Sequence, residues 1–145
     1  MRSVKFLLVL ALCFVALPHS MRAQEKSLYQ RLGGYDAIAA VTDDLIVQLA
    51  NDKLIAPFLT GLSNDSKKKL RQHFVDFLCA AAGGPCVYTG RDMKTSHAGL
   101  GITSAQWDSS VKDVTATLDK FKVPDKEKQE VLALVSSLKK DIVEK

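Results

Sequence analysis

The chain has 145 residues, 47% of them hydrophobic and 25% charged, with a formal net charge of +4. That is one domain's worth of protein. Three of the basic residues, Arg2, Lys5 and Arg22, fall within the first 23 positions, which hold no acid, and setting them aside leaves +1. A nearly neutral domain lacks the electrostatic footprint of a nucleic-acid binder.

Arg2 and Lys5 precede an unbroken apolar run from Phe6 to Leu17, followed by Pro18 and then Met21-Arg22-Ala23-Gln24. A basic start, a short apolar centre and a small-residue exit form the order of a secretory signal peptide. The run is shorter than the roughly 20 residues needed to span a bilayer. Cleavage after Ala23 puts Met21 where a smaller residue is usual, so an uncleaved anchor is the alternative reading. The expected organisation is a signal peptide at 1–23 and one mature domain at 24–145. That domain would be exported to the periplasm or beyond, with no membrane or nucleic-acid partner after cleavage. Cys13 leaves with the leader, and Cys79 and Cys86 remain. An even pair in an oxidising compartment suggests a disulfide. The alternative is that Cys79 is a small buried hydrophobe on a helix.

The mature domain reads as helix throughout. Ser27 and Gln30 have capping-box spacing ahead of a short first helix, which Gly33-Gly34 ends. A second helix is expected from Asp36 to Asn51, with Ile38, Val41, Leu45 and Leu49 on one face. Residues 54–62 form a corner holding Pro57 and Phe58. From Ser66 to Ala82 the pattern is helical again, with Leu70, Phe74, Phe77, Leu78 and Ala81 to one side, until Gly83-Gly84-Pro85 stops it. Lys67-Lys68-Lys69 with Arg71 reads as the solvated opening of that helix. A short helix is expected around Arg91 to Ser96. Thr103 and Gln106 cap the next helix, whose stripe is Trp107, Val111, Val114, Leu118 and Phe121. Pro124-Asp125 opens the last, with Val131, Leu134, Val135, Leu138 and Ile142. No stretch alternates as a half-buried strand would, so the fold class is all-α.

His97 stands one helical turn after Met93 and just before Gly99-Leu100-Gly101-Ile102. A histidine beside glycines is ordinarily a solvated loop residue. A flat apolar cofactor, however, needs one nitrogen ligand on a short tethered element with apolar neighbours, and haem iron is commonly held in this way. The spacing permits that role without proving it.

Here the sequence resembles a known family, the group I truncated haemoglobins, over residues 27–143. The resemblance is carried by Leu28-Tyr29-Gln30-Arg31-Leu32-Gly33-Gly34, by Phe58, and by Phe77-Leu78 leading to Gly83-Gly84-Pro85. Its most specific part runs from Tyr88-Thr89-Gly90-Arg91-Asp92-Met93 to His97 and on to Gly101-Ile102-Thr103. The resemblance implies a two-over-two helical sandwich around one haem b per chain. His97 would be the proximal iron ligand. Phe58 would pack on the haem, Met93, Ile102, Trp107 and Val111 would line its pocket, and Leu70, Phe74 and Phe77 would face the distal side. Taken singly, each of these apolar residues reads as core. Arg91 and Lys94 would meet the propionates, or are simply solvated. There is no Cys-x-x-Cys-His, so covalent attachment through cysteines is not indicated.

The distal side departs from the family pattern. Family members often place a tyrosine in the second helix and a glutamine in the distal helix to hydrogen-bond the gas. The corresponding positions read here as Leu45, after Asp44, and as Leu70 and Phe74. His73 shares the side of Leu70 and Phe77. It is either a second axial ligand or a rim residue meeting a propionate or water. The implied function is binding of oxygen, nitric oxide or carbon monoxide, or transfer of one electron to a redox partner, with nitric oxide oxidation by bound oxygen as an enzymatic variant. The missing distal donors argue against a specialised nitric oxide dioxygenase. A second class stays open on the residues alone: an exported helical interaction domain that has lost haem.

Overall fold

The structure is a computed structural model that describes residues 25–145, and the proposed leader with its cleavage site lies outside the described residues. Among the described residues all regular structure is helical. The short α1 (Leu28–Arg31) carries the expected reciprocal cap: Gln30 N donates to Ser27 Oγ at 3.3 Å, and Ser27 N donates to Gln30 Oε1 at 3.1 Å. Such a cap satisfies amides that a helix start leaves orphaned.

Helix α2 (Gly34–Asn51) begins two residues before the expected Asp36 and buries Ile38, Thr42, Leu45 and Leu49, one face at three- and four-residue steps. Pro57 sits in the first turn of the four-residue α3 (Ala56–Leu59), where its missing N–H costs nothing. Helix α4 (Asn64–Ala81) starts two residues early because Ser63 caps it, its Oγ accepting from Ser66 N. Lys67, Lys68 and Lys69 are exposed there. The helices α2 and α4 pack antiparallel: Ile38 meets Val75 and Cys79, while Asp43, further along α2, binds Arg71, earlier in α4.

The five-residue α5 (Met93–His97) lies two residues later than the expected 91–96 at its start. Asp92 sets that start as the cap. The long α6 (Ser104–Lys120) has the Thr103/Gln106 capping box and packs on α2. It ends before Phe121, which is 40% exposed and not part of the buried stripe expected for it. The chain turns away at Lys122, φ +54°. Helix α7 (Asp125–Ser137) packs back on α6, and a turn at Leu138 separates it from α8 (Lys139–Ile142), so the last stripe is split between two elements.

Two antiparallel pairs, α2/α4 and α6/α7, thus enclose a core of Leu28, Ala82, Leu118 and Val131, with Ile38, Val75 and Cys79 on its α4 side. Arg31 ties α1 to α7 through Glu127 and Glu130, at 2.5 Å to each. Cys79 in α4 and Cys86 in the following segment form a disulfide with Cα atoms 5.8 Å apart, and Cys79 is also fully buried.

Candidate functional site

After Gly83-Gly84-Pro85 the chain runs without helix to Asp92. The Asp92 carboxylate then accepts from Thr95 N and from Thr95 Oγ1, both at 2.8 Å. Those two bonds hold its carboxyl below the usual carboxylate range. One turn later, half-buried His97 places Nδ1 2.7 Å from the Met93 carbonyl. A carbonyl can only accept, so Nδ1 carries the proton and the Nε2 lone pair is left free. A second hydrogen bond of this kind fixes tautomer and ring direction in metal-binding histidines.

Helix α4 carries the second histidine. The His73 and Phe77 rings meet the edge of Tyr88 at centroid distances of 5.9 and 5.3 Å, both nearly perpendicular. The Tyr88 hydroxyl donates to Arg91 O at 2.7 Å, and burial pushes its phenol pKa up. Gly90 is required beside it, because a Cβ there would come within 2.3 Å of the Tyr88 hydroxyl oxygen. Tyr88 lies inside the motif noted in the sequence, but its packing role was not readable: the Tyr-x-Gly spacing was the signal. His73 Nδ1 is buried with no hydrogen-bond partner among the described residues.

The apolar candidates divide into two groups. Phe58 on α3, Leu70, Phe74 and Phe77 on α4, Met93 on α5 and Val111 on α6 are all half-buried. Ile102 and Trp107, at the entry to α6, are 8% and 7% exposed. The corner carrying Phe58 is fastened to α6 through Ser109 Oγ, which donates to Asp52 at 2.5 Å. That hydroxyl and the Leu54 amide hold Asp52 low, whereas burial, with Asp52 beside it, pushes Asp113 up. Asp113 Oδ2 is buried without a partner among the described residues. Arg91 and Lys94 are exposed on the segment that leads to His97.

On the second helix Leu45 is 6% exposed, inside the core stripe of α2. Half-buried Ile46 lies one turn beyond Asp43, on the side of α2 paired with Arg71. The antiparallel register sets it level with the start of α4 near Leu70. Asp44 is drawn the other way, to Lys120 of α6. The second-helix position is apolar in either register.

These residues fit haem b. A single imidazole with a committed Nδ1 and a free Nε2 presents one metal bond. Among the described residues no three histidine, cysteine or carboxylate side chains cluster to make a metal site alone; haem would bring its own macrocycle ligands and ask one imidazole of the protein. Six large apolar side chains that the protein leaves half-covered offer the surface such a ring buries. An orphaned imidazole nitrogen on α4 is a polar group awaiting a partner.

Comparison with known proteins agrees. Residues 27–144 match the model of the bacterial-like globin family, and the chain belongs to that family. It is 33% identical over 121 residues to a group 1 truncated hemoglobin, GlbN, of Mycolicibacterium paratuberculosis, covering 83% of this chain and 87% of that protein. It is also 33% identical over 119 residues to GlbN of a Nostoc species, covering 82% and 98%. The crystal structure of truncated hemoglobin from Tetrahymena pyriformis in its Fe(III) form superposes with a TM-score of 0.75 at 25% identity, covering 83% of this chain and all of that one. The fold is the two-over-two globin sandwich, and the protein is a haem-binding globin that takes small diatomic gases.

Proposed function

We propose that His97 is the proximal iron ligand, that His73 closes the opposite axial position in the absence of gas, and that the globin works outside the cytoplasm as a gas sensor or one-electron carrier. The observation that carries this reading is the Nδ1 contact of His97 with the Met93 carbonyl, which leaves Nε2 as a fixed donor. Bound haem supplies an iron that exchanges one electron and accepts a diatomic ligand.

The chain's own residues set what that iron meets. Phe58, Phe74, Phe77 and Met93 would pack against the haem and keep water from it. With Ile46, Leu70 and Phe74 on the distal side, a bound gas finds no fixed side-chain donor among them and forgoes a hydrogen bond worth about 0.5–1.5 kcal/mol. That disfavours long retention of oxygen and a specialised nitric oxide dioxygenase. His73, with a buried and unpartnered ring nitrogen on α4, is the polar side chain that closes the gap. The export reading rests on the leader's residue order.

The test is His97→Ala. The variant should lose its Soret band on desalting while the parent retains it. A His97→Ala protein with an unchanged axial-histidine spectrum contradicts the assignment. A parent that shows no Soret band after haem addition is an interaction domain instead.

A further inference from the structure

The last residues of the sequence fold onto the loop that follows His97. Glu144 Oε1 accepts from Gly99 N and Glu144 Oε2 from Gly101 N, both at 2.7 Å. The backbone repeats the attachment: Glu144 N and Lys145 N donate to Ile102 O at 2.8 and 3.2 Å, and Ser104 N donates to Lys145 O at 2.9 Å. Gly99 and Gly101 have φ of +81° and +63°. At such angles neighbouring amides turn into one concavity, a nest suited to an anion. Here the chain's own carboxylate fills it.

Helix α5 needs such a tether. It has five residues, too few to be stable unaided. Asp92 holds its beginning, but at its end Ala98 is already extended, with ψ 128°. Leu100 N donates to His97 O at 3.2 Å, so the clamped loop is continuous with the ligand's own peptide. Glu144 supplies the tether on the far side of His97 from Asp92.

We infer that Glu144 is a positioning residue for the proximal ligand: by occupying the Gly99–Gly101 nest it fixes the 98–102 loop and so the direction of His97 Nε2. This rests on the assignment of His97 as the iron ligand. Asp92 constrains rotation of α5 from one end and Glu144 from the other, while the Met93 carbonyl sets the ring's own torsion. Without the carboxylate, the Gly99 and Gly101 amides lose their acceptor, and the loop is held only by the backbone bonds at Ile102 and Ser104.

The test uses haem-loaded protein in a His73→Ala background, where a single axial imidazole is read. The variants are Glu144→Gln, which keeps shape but loses one acceptor oxygen, and Glu144→Ala. The readouts are the iron–histidine stretching band in the ferrous resonance Raman spectrum, the rate of haem transfer to an apoglobin acceptor, and far-ultraviolet circular dichroism. Glu144→Ala should shift and broaden the band and speed haem loss roughly tenfold, the scale of other outer-shell partners, with Glu144→Gln between it and the parent. An unchanged band and haem-loss rate in Glu144→Ala overturns the latch. If Glu144→Ala loses helical signal, Glu144→Gln decides on the same two readouts. A His97→Ala control that keeps its axial-histidine band overturns the ligand assignment instead, so the two failures are distinguishable.

Discussion

The two histidines among the described residues differ in what Nδ1 does, and the parts proposed for them follow from that difference. His97 Nδ1 is committed to the Met93 carbonyl at 2.7 Å. His73 Nδ1 is buried against Tyr88 with nothing to bond among the described residues. The first ring is fixed in direction by that hydrogen bond, as a permanent ligand would be, while no hydrogen bond at Nδ1 holds the second, which suits the proposed reversible closure. In the proposed closure, the observed gas affinity equals the intrinsic affinity scaled by the fraction of open molecules. The expected result for His73→Ala is a change of the ferrous optical spectrum from six-coordinate low-spin to five-coordinate, with faster carbon monoxide binding. An unmodified ferrous protein that is already five-coordinate makes His73 a rim residue. The one-turn relation of His97 to Met93 was legible in the sequence because both lie within one specific motif. Ile46 was not legible as a second-helix candidate, because adjacent residues on a helix differ by about 100° in direction and only packing against α4 sets which of them turns toward it. Tyr88 escaped for a similar reason: its ring acts across elements, on His73 and Phe77.

At the scale of elements, the readable features were local. Both capping boxes and the turn after α4 are written within a few residues, and they stand where the sequence put them. The missed features join distant positions. Glu144 reaches Gly99 across 45 residues, and Ser109 reaches Asp52 across 57. No periodicity encodes such pairs. The Asp52 corner has a consequence for stability. Burial and the neighbouring Asp52 raise the pKa of Asp113 in the fold. A carboxyl raised in this way favours the fold while protonated, below its unfolded value near 3.9, and that contribution is lost as pH rises through the folded value. At neutral pH the lost contribution is felt in full. Asp113→Asn keeps the shape and offers Asp52 a donor. It should raise stability at pH 7 by about 0.5–1 kcal/mol after allowance for solvent screening, a Tm gain of roughly 2–5 °C. Thermal denaturation at pH 7 and pH 3 checks it: the gain should shrink at pH 3, and an equal gain at both refutes the electrostatic account.

For the molecule as a whole, the apolar stripes foretold an all-α core, and the pairing of α2 with α4 and α6 with α7 realises it. Whether that core is stapled depends on the compartment. Cys79 and Cys86 are seven residues apart and bridge the end of α4 to the segment that carries Tyr88. Closing so short a loop stabilises the fold by about 2–3 kcal/mol in the chain-entropy account. It also limits how far Tyr88 can move from His73. Such a bond persists in oxidising compartments and not in a reducing cytosol, which ties the staple to the proposed export. One measurement tests both ideas. Intact mass spectrometry of the exported fraction should find a chain beginning near Gln24 and two hydrogens lighter than its dithiol form. Reduction should then lower the melting temperature of the same sample. Protein recovered from the cytoplasm with Met1 in place contradicts the export proposal. Exported protein that titrates with two free thiols, and melts the same with and without reductant, removes the staple while leaving export standing.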